Sequence, residues 1–99
     1  MEIVKTADAG KLTLALTGRL DTTTAPALEA ALKDSYAGIS ALVFDFEKLE
    51  YISSAGLRVI LSAQKTMQKQ GEMKVIHVCD DIMEVFDITG FSDILTIEK

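Results

Sequence analysis

A chain of 99 residues, about half apolar and a quarter charged, reads as one globular domain, expected to span residues 1–99. Its net charge of −5, with the ten basic residues scattered, excludes nucleic acid and anionic membrane surfaces as natural partners. A single cysteine excludes an internal disulfide, and the absence of a basic-plus-apolar leader or a long apolar run points to the cytoplasm with no direct membrane insertion. A domain of this length should have a radius of gyration of roughly 13 Å, with little room for a deep substrate cleft.

In chain order, Glu2–Thr6 is rich in β-formers and is followed by the turn signal Asp8-Ala9-Gly10. Leu12, Leu14 and Leu16 then alternate with polar or small residues, the period of a half-buried strand, so the two segments should form a hairpin. Thr22, Thr23 and Thr24 offer N-caps ahead of Pro26, and Leu28, Ala31, Leu32 and Tyr36 recur at helical spacing up to Gly38. Ala41–Phe46 has the length and composition of a buried strand, with Glu47–Tyr51 as a connection. Ser53 and Ser54 precede a helix whose stripe is Gly56, Val59, Ile60, Ala63 and Met67, stopped by Gly71. Met73–Cys79 predicts a strand, Asp80–Thr89 a helix closed by Gly90, and Ile94–Ile97 a last strand.

The order β-β-α-β-α-β-α-β implies an α/β domain: a mixed, mostly parallel sheet behind an N-terminal hairpin. One apolar stripe per helix predicts that the helices pack on one face of that sheet.

Catalytic constellations are sparse. His77 is the lone histidine and would share a strand face with Cys79, but no residue in the pattern activates such a pair. Cys79 reads as a small core hydrophobe in an apolar run. A zinc centre normally recruits further Cys or His ligands, and the chain has none, so no metal and no cofactor are expected. Asp45, Glu47 and Glu50 lie close together and could serve acid–base chemistry or a hard cation, while Asp80-Asp81 are explained by the dipole of the helix they open.

The informative stretch is Asp45–Leu57, running from a strand end through a loop into a helix with small residues at its mouth. Partners of largely parallel sheets meet such strand ends, and a helix start tolerates an added phosphate. Residue physics alone accounts for the same features more plainly: serine caps the helix, and Gly56 permits close helix–sheet packing.

Two segments then resemble the STAS domain family in its stand-alone form, the anti-sigma factor antagonist. Gly18–Leu28, GRLDTTTAPAL, resembles the family segment in which a Gly-x-Leu-Asp leads into the first helix. Leu42–Leu61, LVFDFEKLEYISSAGLRVIL, resembles its more specific signature, which closes on serine, a small residue, glycine and leucine. The resemblance covers essentially the whole chain and implies partner switching without catalysis by the antagonist itself. The unphosphorylated protein would bind an anti-sigma factor that is also a serine-protein kinase and so free a sigma factor. Phosphorylation would break the complex, and a PP2C-type phosphatase would restore it.

By motif position Ser54 is the implied phosphorylation site, with Ser53 the second candidate. Asp21, Thr22, Ser53, Ser54, Gly56 and Leu57 are the implied partner-binding residues. Ser53 stands where many members carry Asp, and Ala55 where many carry Ser or Thr, which removes one carboxylate beside the acceptor and adds a second hydroxyl. A STAS module that works without phosphorylation, as a transport-complex subunit, signalling scaffold or ligand sensor, is the alternative expectation.

Overall fold

The computed structural model describes all 99 residues, Met1–Lys99. The leucine alternation builds β2 (Lys11–Leu20), which turns through Ala9–Gly10 onto β1 (Glu2–Asp8) as an antiparallel hairpin. β3 (Ala41–Ile52) and β4 (Glu72–Ile76) add in parallel, giving a sheet of order β1-β2-β3-β4. Between them run α1 (Ala25–Lys33) and α2 (Ser54–Gln68), and α3 (Asp80–Thr89) follows β4. The radius of gyration is 12.2 Å, close to expectation.

The sheet register explains the core. Leu12, Leu42 and Met73 lie side by side, and so do Leu14, Phe44 and Val75. All six are buried in one cluster with Leu28 and Leu32 of α1, Ile60, Ala63 and Met67 of α2, and Ile82 and Phe86 of α3. Full burial of each large side chain contributes about 1.5–3 kcal/mol. The alternate positions Thr13, Ala15, Asp45, Lys74 and Ile76 are only half-buried, so the helices cover one face as the stripes predict.

Four boundaries differ from the sequence expectation, each for a physical reason. β3 does not stop at Phe46: it continues through Glu47–Tyr51 to Ile52, because two register shifts against β2 keep Phe46, Leu49 and Ile52 inward at a spacing of three. A bulge inserts an extra residue and breaks the period of two that the eye searches for. α1 closes at Lys33, with Asp34 as its C-cap, and Tyr36 packs on the core from the following loop.

β4 ends at Ile76, because His77 adopts a left-handed φ of 57°. His77 and Cys79 therefore do not share a strand face. Cys79 is an exposed N-cap of α3 and not a core residue. The expected last strand, Ile94–Ile97, is reduced to a single parallel bridge between Ile97 and Val75 after a 3-10 turn at Phe91–Asp93.

Candidate functional site

Because β2 and β3 run parallel, Leu20 and Ile52 pair at their ends and deliver two loops to one edge of the molecule. The Ser53 N–H donates to the Leu20 carbonyl at 2.9 Å, tying those loops together. Ser53 has extended backbone, φ −95° and ψ 174°, and its Oγ accepts the Gly56 N–H at 3.3 Å, the side-chain cap of α2. Ser54 is the first residue of α2 and is exposed. No acidic residue lies in the first turn of that helix, so its partial positive charge meets no carboxylate of its own.

The serine pair is thus chemically divided: one hydroxyl is engaged in the fold, and the other faces solvent. Gly56 and Leu57 lie beneath this edge. A Cβ at Gly56 would sit 2.7 Å from Leu20 Cγ and 3.1 Å from Ile52 Cγ1, so glycine is required there by helix–sheet contact. Leu57 is 7% exposed and belongs to the core cluster.

Asp21 follows the end of β2 and organises a tight turn. Its Oδ1 accepts the Thr23 hydroxyl at 2.8 Å and the N–H groups of Thr23 and Thr24 at 3.0 and 3.2 Å. In return the Asp21 N–H donates to Thr24 Oγ1 at 2.8 Å. The Thr23 hydroxyl is the strongest influence on the carboxyl, with the two N–H groups in support. Together they outweigh local desolvation and hold its pKa below the ordinary carboxylate value. Thr22 is exposed and lines a shallow groove of about 310 Å³ with Pro26 of α1 and Ala55, Arg58 and Ser62 of α2. On the other side, the Arg19 guanidinium stacks 4.1 Å from the Tyr51 ring centre and lies 3.9 Å from Asp21 Oδ2.

A second polar cluster, remote in sequence, sits where β4 ends beside the middle of β3. His77 Nδ1–H donates to Asp45 Oδ1 at 2.9 Å, and the same oxygen accepts the Glu47 N–H at 3.0 Å. The contact with Asp45 raises the His77 pKa. Cys79 is not part of this cluster, so no Cys–His pair is assembled. The adjacency of Asp45 and Glu47 is visible in the sequence, but the arrival of His77 is not. The signal that finds it is the parallel pairing of Asp45 with Ile76, one residue before the histidine.

The STAS domain family profile matches residues 1–99. The chain belongs to the STAS domain family. Among curated relatives, BtrV of Bordetella bronchiseptica is 39% identical over 90 residues, covering 89% of this chain and 78% of its own. The anti-sigma-B factor antagonist of Listeria monocytogenes is 33% identical over 99 residues, covering 97% of this chain and 86% of its own. In fold, this STAS domain is similar to an anti-sigma factor antagonist of Mycobacterium paratuberculosis, with a TM-score of 0.89 at 23% identity over 98% of this chain and 84% of that one. The antagonist SpoIIAA, solved unphosphorylated, superposes with a TM-score of 0.80 at 15% identity over 99% of this chain and 88% of that one. A structure of phosphorylated Bacillus SpoIIAA is similar at 0.78 and 15% identity, over 99% of this chain and 92% of that one. These structural likenesses bear on the fold alone. No helix of this STAS domain is long and apolar enough to cross a membrane.

Proposed function

We propose that this STAS domain is an anti-sigma factor antagonist, switched off by phosphorylation of Ser54. In the unphosphorylated state it binds a cytoplasmic anti-sigma factor through the edge formed by Asp21, Thr22, Ser53 and Ser54, supported from beneath by Gly56 and Leu57. The sigma factor is thereby released. The curated relatives named as anti-sigma-B factor antagonists support the binding role.

The observation that carries the assignment to Ser54 is the division of labour between the two serines. Ser53 Oγ caps α2, whereas Ser54 Oγ stands exposed at the first turn of a helix without acidic residues. A phosphate there would be held by the helix dipole, so the fold survives while the docking edge gains nearly two negative charges.

Calorimetry with the anti-sigma factor of the same genome tests the proposal. Ser54→Asp should weaken the complex at least about tenfold, or ~1.4 kcal/mol, with unchanged far-UV circular dichroism. Incubation with that partner and ATP should place one phosphate within Tyr51–Arg58 by mass spectrometry. Full affinity in Ser54→Asp would remove the switch and leave the binding role. Absence of binding by the unmodified chain would remove both.

A further inference from the structure

We propose that Asp45, Glu47 and His77 form a binding site for one first-row divalent metal ion of the zinc type, separate from the Ser54 edge. A nitrogen of His77 and carboxylate oxygens of Asp45 and Glu47 all lie within 4.8 Å of one another. Asp45 and Glu47 come from the middle of β3 and His77 from the residue after β4; because the shorter β4 pairs only with Ala41–Asp45, its carboxyl end falls beside Asp45, midway along β3.

The backbone brings the imidazole there. A strand continuing past Ile76 would send residue 77 to the side opposite Ile76, toward the helices. The left-handed φ of 57° at His77 turns it instead onto Asp45, where Nδ1 and Oδ1 stand 2.9 Å apart. A tetrahedral zinc ion with bonds of about 2.0–2.1 Å spaces its ligands by roughly 3.3 Å, so these two donors need to part only slightly. Glu47 is exposed, and its side chain can close the remaining gap by a rotamer change. A shallow hollow of about 200 Å³ borders Asp45 and Glu47 on their β2 side, away from His77.

Charge and donor type select the ion. Two carboxylates and the overall net charge of −5 attract a cation, and Lys48, which lines the hollow, opposes them in part. Magnesium and calcium prefer shells made only of oxygen, and copper(I) prefers sulfur. One imidazole with two carboxylates suits zinc and its first-row divalent neighbours. Binding displaces the Nδ1 proton and replaces the hydrogen bond between His77 and Asp45 with two metal bonds.

Zinc chloride titrated into the full chain by calorimetry should show one ion bound per chain, with the His77 ring resonances shifting by NMR. Asp45→Asn and His77→Asn should each weaken binding at least about tenfold, since even outer-shell partners of metal ligands cost 10–100-fold. Asparagine is chosen at position 77 because it tolerates left-handed backbone, and an unchanged thermal midpoint verifies that variant's fold. Cys79→Ser should bind zinc as the unmodified chain does, and excess magnesium should not displace the zinc. Absence of zinc binding, retention of full affinity in His77→Asn, loss of it in Cys79→Ser, or displacement by magnesium would each overturn the site.

Discussion

Helices α2 and α3 both follow the carboxyl end of a parallel strand, yet their first turns are chemically opposite. α2 has a side-chain cap from Ser53 and no acidic residue. α3 has no side-chain cap from Cys79 but carries Asp80 and Asp81. Each helix start must satisfy free N–H groups and a partial positive charge. α3 meets the charge with its own carboxylates. α2 satisfies one donor with a hydroxyl and leaves its charge unopposed, which would favour the phosphate proposed on Ser54. The difference teaches that two helix starts on one sheet can meet the same demand by opposite means.

The largest test of that comparison concerns how tightly α2 is seated. Gly56→Val forces atoms into Leu20 and Ile52, which already crowd the position of a Cβ. It should destabilise the domain by about 1–3 kcal/mol, the usual cost of overpacking, read by urea denaturation. The equivalent α3 position is Ile82, 2% exposed, where Ile82→Val removes volume instead of adding it and should cost only about 0.5–1.5 kcal/mol. A mild Gly56→Val variant would show that α2 can slide and that its start is not rigidly placed.

The caps give the next effect. Ser53→Ala removes the bond to the Gly56 N–H and should cost about 1 kcal/mol, whereas Cys79→Ser offers α3 a cap it lacks and should cost nothing or stabilise slightly. Equal losses at both sites by thermal denaturation would erase the contrast. Smaller again are the charges. Ser54→Asp should stabilise the free domain by about 0.3–1 kcal/mol, and Asp80→Asn should destabilise it by a similar or smaller amount. Both effects should shrink in high salt.

The sequence carries most of this architecture because local rules agree with the tertiary ones. The alternation of Leu12, Leu14 and Leu16 and the Gly56–Met67 stripe each read directly onto buried positions. Legibility fails where geometry departs from a regular period. The two shifts in β3 hide Leu49 and Ile52 from a search for alternation, and the left-handed His77 ends β4 inside an apolar run. The Asp45–His77 contact spans 32 positions and exists only through strand pairing. Ser53 and Ser54 are adjacent and identical in type, and only the direction of one hydroxyl separates them. At Gly56 and Leu57 the motif marks a surface region, but the residues themselves are buried.

The smallest expected effect lies at Asp21, in the first of the two loops that form the edge. Its carboxyl titrates below the ordinary 3.8, chiefly through the Thr23 hydroxyl. A depressed folded-state pKa contributes stability that is present above the unfolded value and is lost as pH falls through the folded one. Thr23→Val removes the hydroxyl but keeps the N–H, so the Asp21 midpoint, followed by carboxyl-detected NMR, should rise toward 3.8. The stability contributed by the Asp21 carboxylate should then be smaller, and its loss on acidification should be complete at slightly higher pH. Ser54→Asp should also raise that midpoint, because Ser53 N–H bonds to the Leu20 carbonyl next to Asp21 and a new negative charge enters the same edge. If Asp21 titrates identically in both backgrounds, the two loops are electrostatically separate. A phosphate on Ser54 would then have to act on the partner alone and not through the acidic turn beside it.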